Sequence, residues 1–316
     1  MKQTLTVAQK ERFKRLTLGL HQACTDRDLA SAKAFAYDIR ELAKATNQNA
    51  RWLSSLNVLS ETAIECGDIP FAIRHLEHVV KSSSETTRIR IEAYSLLAVA
   101  YIRSAEYAKS KDNIRLAIKN IRNIQSEKNR KEFYEAIVLR LEEEAILAGA
   151  KAEGLNETFD IDTIQKEAVS ILVSNEGEAQ ILARIGNSLP DASIDLFNDF
   201  RNSTLLQIPR QEILQLPPPN VAVPESSIGR KALSAFKRVL WITLCDQNDE
   251  LYKAWSGGLA LLYDKKLLPI AVAGAFANFQ LGSKALVVYV TAYLFKIGCR
   301  TFCEAFAPET IMKRKK

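Results

Sequence analysis

At 316 residues, 47% apolar and 25% charged, the chain has the composition of a folded protein, which excludes wholesale disorder. Gly (12) and Pro (9) are both scarce, as suits long helices joined by short turns. The net charge of +6 is unevenly placed: from Glu225 onward 14 Lys/Arg stand against 7 Asp/Glu, leaving 29 against 30 in residues 1–224. An excess of that kind suits an anionic partner, or is simply the solvated Lys313–Lys316 tail. Cys24, Cys66, Cys245, Cys299 and Cys303 are dispersed and odd in number, and Met1–Arg15 is polar with no secretory signal. Cytoplasmic placement with reduced thiols is the expectation.

The earliest helical pair is marked by Leu20 and Ala23, then Leu29, Ala32, Ala36 and Ile39. A second pair lies 40 residues on: Leu56, Leu59, Ser60 and Ala63, a turn at Gly67-Asp68, then Ile69, Ala72, Leu76 and Val79. The third, shifted by a further 38, is the clearest. Tyr94, Leu97, Ala98 and Tyr101 form one face of its first helix, and Tyr107, Ser110, Ile114 and Ala117 the matching face of its second. Ala98 and Ser110 stand where two helices would cross closely.

Over about residues 12–120 this pattern resembles the tetratricopeptide (TPR-like) helical-repeat superfamily, whose units are antiparallel helix pairs of about 34 residues. The resemblance implies an all-α fold, a TPR-like α-solenoid followed by a small C-terminal helical domain. It also implies a concave face built from the first helix of each pair. On it fall His21, Asn57, Glu61, Glu65, Ser95 and Arg103, which are mixed in charge and suit a protein or peptide partner bound by shape and scattered polar contacts.

Farther along, a helix is expected over Lys131–Ala152, and Asp160-Ile161-Asp162 caps another to about Val173. Glu176–Gly186 and Asp191–Phe200 form a further short pair around Leu189-Pro190. Pro209, Pro217-Pro218-Pro219 and Pro224 then interrupt any helix between about Arg201 and Ser226. The resulting division is a helical-repeat scaffold at 1–200, a Pro-rich linker at 201–225 and an apolar, basic helical domain at 226–316.

In that last part, Ser226-Ser227 caps a helix to about Cys245, and a second helix spans Asp249–Leu262. No charge occurs from Leu267 to Ser283 or from Ala285 to Phe295, stretches of 17 and 11 residues. Both are short for a membrane span of about 20 residues. Buried core helices are the favoured reading, with self-association through 226–316 and membrane contact through 267–295 as the alternatives.

No motif for chemistry emerges. His75 and His78 share a helix face, with Cys66 or Glu77 available as a third ligand but no motif to mark one, and Cys299 and Cys303 lack a second Cys/His pair. No Gly-x-Ser-x-Gly is present, and Ser256-Gly257-Gly258 lacks the context of a phosphate loop. Glu142-Glu143-Glu144 are consecutive and therefore spread around a helix. Phe236-Lys237-Arg238…Trp241 and Tyr293…Lys296…Arg300 interleave aromatic and basic residues, which makes nucleic acid a secondary partner class. The expectation is a non-enzymatic adaptor or regulatory subunit with no cofactor and no metal. The alternative is a sensor–effector, of bacterial defence or toxin type, whose apolar C-terminal helices act on a membrane or drive oligomerisation.

Overall fold

The computed structural model describes residues 5–152, 159–209, 223–245, 252–253, 266–305 and 310–312. The described residues form fourteen α-helices and a 3₁₀ turn, with no strand among them. They divide into two compact units. One comprises Met1–Leu141, Ser203–Leu216 and Thr310–Lys316; the other comprises Glu142–Asn202 and Pro217–Glu309. This partition differs from a scaffold at 1–200 followed by a tail domain at 226–316. The first boundary falls inside helix α7, Glu127–Ala152, at Leu141/Glu142.

The first unit contains three helical hairpins: α1 (Val7–Thr25) with α2 (Leu29–Ala45), α3 (Asn49–Glu65) with α4 (Ile69–Ser82), and α5 (Arg88–Arg103) with α6 (Tyr107–Asn120). Each helix packs on the next, and the leading helices α1, α3 and α5 also pack in succession. The hairpin turns repeat one backbone solution. Arg27, Gly67 and Ala105 take left-handed φ values of 55°, 85° and 59°. In each, the next residue's N–H bonds back five positions: Asp28 to Ala23, Asp68 to Ala63 and Glu106 to Tyr101, all at 2.8–2.9 Å. This satisfies the carbonyls that the ending helix leaves open. Asp28 and Asp68 then serve as N-caps of the following helix, accepting from the N–H of Ser31 and Phe71. The same turn thus lies 40 and then 38 residues on, and it occurs once more between the first two hairpins, where Asn47 is left-handed and the Gln48 N–H bonds to Ala43.

The crossing positions are tight. Ala32, Ala72, Ala98 and Ser110 have no exposed surface, and the Ser110 hydroxyl donates to the Ala98 carbonyl at 2.8 Å. In α4 burial is confined to one face, Ala72, Leu76 and Val79. In α5, by contrast, every residue from Ile91 to Ile102 is buried, and α3 is nearly as enclosed. Helices enclosed all round must bury whatever polar residues they carry.

The second unit is built on α8 (Ile161–Val173), α9 (Glu178–Asn187), most of α10 (Asp191–Leu205), α11 (Glu225–Leu244), α12 (Leu267–Asn278), α13 (Lys284–Ile297) and α14 (Cys299–Ala305). Asp160 caps α8, its carboxylate accepting the Asp162 N–H at 3.1 Å. Helix α11 starts at Glu225, about two residues before a Ser226-Ser227 cap would start it, because Pro224 supplies the N-cap and accepts from Ser227 and Ile228. The uncharged stretches are the short helices α12 and α13, and Leu268, Val272, Phe276, Val287, Val290 and Leu294 have no exposed surface within this unit's core. Among the described residues no helix is long and apolar enough to cross a membrane. Most of the Pro-rich linker and of the helix expected at 249–262, with Ser256-Gly257-Gly258 and the Lys313–Lys316 tail, lies outside the described residues.

One expectation is corrected in this unit. Cys245 and Cys303, 58 residues apart, are joined as a disulfide, so these two are not reduced thiols. Glu142, Glu143 and Glu144 spread around the helix as consecutive residues do, and each is at most 3% exposed. Glu142 pairs with Arg201 at 2.6 Å and also with Lys231, while Glu143 pairs with Arg238 and accepts from Ser234 at 2.6 Å. Helix α7 is packed on all sides here, so even consecutive carboxylates are enclosed and must meet cations.

Candidate interaction site

The six residues expected on a concave face all stand on the leading helices of the hairpins, and most are interior. His21, Asn57, Glu61 and Ser95 are buried, the Glu65 side chain is 7% exposed and Arg103 is half-buried. Several are occupied in holding α3 and α5 together. The Asn57 amide donates to the Ile89 carbonyl at 2.8 Å, and the Arg103 guanidinium donates to the Ile64 carbonyl. Ser95 folds back onto its own helix at Ile91, and Glu65 pairs with Arg140 of α7 at 3.7 Å. Beside them, burial pushes the Glu92 carboxyl upward, against the opposing pull of Arg88 and Asn57.

Glu61 differs from the others in what it holds. One carboxylate oxygen accepts the main-chain N–H of Ile311 at 2.7 Å, and the other accepts that of Met312 at 3.0 Å. Glu61 is 1% exposed, and Ile311 and Met312 are 3% and 6% exposed. A carboxylate offers about four lone-pair positions and no donor, so it suits two adjacent N–H groups without reading the side chains attached to them. The segment itself is closed locally by the Thr310 hydroxyl, which donates to the Met312 carbonyl at 2.8 Å. Thr310–Met312 is non-helical, so its N–H groups have no helix to satisfy them.

The resemblance to tetratricopeptide units is what put Asn57, Glu61 and Glu65 on one face, and at i, i+4 and i+8 they do share a face of α3. Ile311 and Met312 were not foreseen. They stand 250 positions and more from Glu61, and their one local hint is an apolar pair between Pro308 and a basic run. Arg140 and Glu92 were missed as well.

The remaining candidates have local roles. His75 stacks on Phe71 and contacts its carbonyl at 2.8 Å, whereas His78 lies against Trp52, so the two rings are drawn to different neighbours. Among the described residues no group of three or more His, Cys, Asp or Glu side chains is placed to hold a metal. Cys299 is buried, and burial pushes its thiol up to about 12. Of the aromatic–basic stretches, Phe236 is fully buried and Arg238 is turned inward onto Glu143, while burial brings Lys237 down to about 8. Lys296 donates to the Glu176 carbonyl, and Tyr293 donates to Glu178 at 3.1 Å. A cleft of about 460 Å³ in the second unit is lined by Glu167, Asn187, Ser188, Pro190, Ser283 and Lys284, among others. Lys284 is paired there with Glu167 at 2.9 Å.

Comparisons with models of known protein families, with curated proteins and with solved structures return no match to this chain.

Proposed function

We propose that the chain is a non-enzymatic interaction protein, an adaptor or regulatory subunit. In this reading the hairpins α1–α6, resembling tetratricopeptide units, hold a short peptide segment of a protein partner. The observation that carries the reading is the pair of bonds from the Ile311 and Met312 N–H groups to the Glu61 carboxylate. Recognition of consecutive main-chain N–H groups by a fixed, buried acceptor is a way of binding peptide that tolerates sequence variation, while neighbouring apolar contacts add selectivity. The repeated hairpins support it too, because the enclosed leading helices fix the carboxylate's position from several sides.

The test compares two full-length chains. One carries Ile311→Asp and Met312→Asp, which takes the chain's own segment away from Glu61; the other adds Glu61→Gln. Gln offers a single acceptor oxygen and turns a donor toward a donor. Affinity purification from native cells with quantitative mass spectrometry is expected to show a protein retained by the first chain and reduced at least ~10-fold on the second, about 1.4 kcal/mol. Identical sets on both would overturn the reading.

A further inference from the structure

Building on that reading, we propose that Thr310–Met312 is the chain's own competing ligand. A partner gains Glu61 only by displacing this segment, and the partner segment that does so shares its chemistry. That chemistry is two consecutive residues with main-chain N–H groups, neither of them proline, both carrying apolar side chains.

Three observations support the assignment. The contact joins two distant parts of the sequence, 250 and 251 positions apart, through polar bonds to main chain. Glu61 therefore recognises a feature that any non-proline dipeptide presents. Thr310–Met312 are non-helical, so no helical bond of theirs is broken when they leave the carboxylate. Burial of Ile311 and Met312 beside the carboxylate supplies the apolar part of the recognition. A segment tethered in the same chain competes intramolecularly, so a partner in trans is opposed unless it binds well or is itself concentrated.

The experiment needs no cellular partner. A fluorescent peptide spanning Ala307–Lys316 is titrated by anisotropy against the wild-type chain and against the full-length chain with Ile311→Asp and Met312→Asp. The opened chain is expected to bind the peptide at least ~10-fold more tightly than wild type. Methylating the peptide's Ile311 and Met312 nitrogens, which leaves the protein untouched, is expected to weaken binding to the opened chain by at least ~10-fold. In the wild-type chain, amide exchange followed by NMR is expected to show protected Ile311 and Met312 N–H groups whose protection falls as unlabelled peptide is added. This last measurement decides the matter even where the opened chain fails to fold. Equal affinity for wild-type and opened chains, unchanged binding of the methylated peptide, or protection indifferent to added peptide would each overturn the proposal. Peptide binding as expected, with no cellular partner that depends on Glu61, would sink the adaptor reading and the competition with it, leaving only an exchangeable contact between Glu61 and Thr310–Met312.

Discussion

Glu61 on α3 accepts the main-chain N–H of Ile311 at 2.7 Å, joining positions 250 residues apart inside one compact unit. Its second oxygen takes the next N–H along, that of Met312. Replacing Glu61 with Ala leaves both N–H groups without this acceptor in a buried setting, and a buried donor stripped of its partner costs about 1–3 kcal/mol. Glu61→Ala is therefore expected to lower stability by ~2–4 kcal/mol, read from the urea midpoint at constant slope. A loss below about 0.5 kcal/mol would mean that the two bonds contribute little to the fold.

The hairpin turns give a sign test at two equivalent positions. Ala105 and Gly67 hold the same left-handed role, yet only one is glycine. A left-handed conformation costs an L-residue with a Cβ roughly 1–2 kcal/mol, part of which glycine's greater unfolded-state freedom offsets. Ala105→Gly is expected to stabilise by about 0.5–1 kcal/mol, and Gly67→Ala to destabilise by a similar amount. At Gly67 a Cβ would meet nothing within 4 Å, so the effect there is the backbone's alone. Calorimetric melting of both variants checks the opposed signs.

These turns also show which part of the fold was legible. Gly67-Asp68 is a local signal, because the turn it marks is closed by short-range backbone bonds. The Asp160 cap was legible for the same reason, its bonds lying within three residues. The Glu61–Ile311 contact, the Cys245–Cys303 bridge and the Glu142–Arg201 pair were not, since each joins residues with no shared local pattern. The tetratricopeptide resemblance placed polar residues of the leading helices on a concave, solvent-facing groove. Full enclosure of α3 and α5 removes that premise, and with it the link between polar and exposed.

Close backbone approach is concentrated in the second unit, where α9 meets α11 through Gly186 and Gly229. A Cβ built on Gly229 would sit 1.7 Å from the Leu182 carbonyl oxygen, and one on Gly186 would sit 2.5 Å from that of Glu225. Neither obstacle is a side chain that can swing aside; relief requires the helices to separate. Gly229→Ala is expected to cost about 3 kcal/mol or more, at the upper end of overpacking effects. Gly274→Ala is the control, because a Cβ there meets nothing within 4 Å, and it is expected to leave stability unchanged or raised. Urea unfolding of the two variants makes the comparison, and equal midpoints would contradict the crossing geometry.

Arg238 and Glu143 are 6% and 3% exposed and pair directly, which makes them a test of buried charge. Arg238→Ala leaves the carboxylate without its guanidinium, and breaking a buried pair from one side costs about 3–5 kcal/mol. Replacing both with apolar residues, as Arg238→Met with Glu143→Leu, removes the desolvation penalty along with the attraction. The double variant is expected to recover most of the loss, to within about 1–2 kcal/mol of wild type. A double variant no more stable than Arg238→Ala would show that Glu143 acts chiefly through Ser234 and its other neighbours.

Stability should vary with alkaline pH in two opposed phases. Burial lowers Lys237 to about 8, against the opposing pull of Glu143 and Glu178. From there to its unfolded value near 10.5 the unfolded chain binds the extra proton, so stability rises with pH. Burial raises Cys299 to about 12 from 9, and the unfolded thiol ionises first, so stability falls across that range. Tyr101 and Tyr293, raised to about 12 by burial and by Glu77 and Glu178 respectively, add to the fall above about pH 10. The two phases overlap between about 9 and 10.5, so a modest gain just above pH 8 should give way to a steep loss toward pH 12. Unfolding free energies measured at successive pH values test the assignment through two variants. Lys237→Met should abolish the early rise, and Cys299→Ala should flatten the fall from pH 9 while leaving the tyrosine-driven loss above about pH 10. A Cys299→Ala profile that still falls as steeply from pH 9 would remove the buried thiol as its cause.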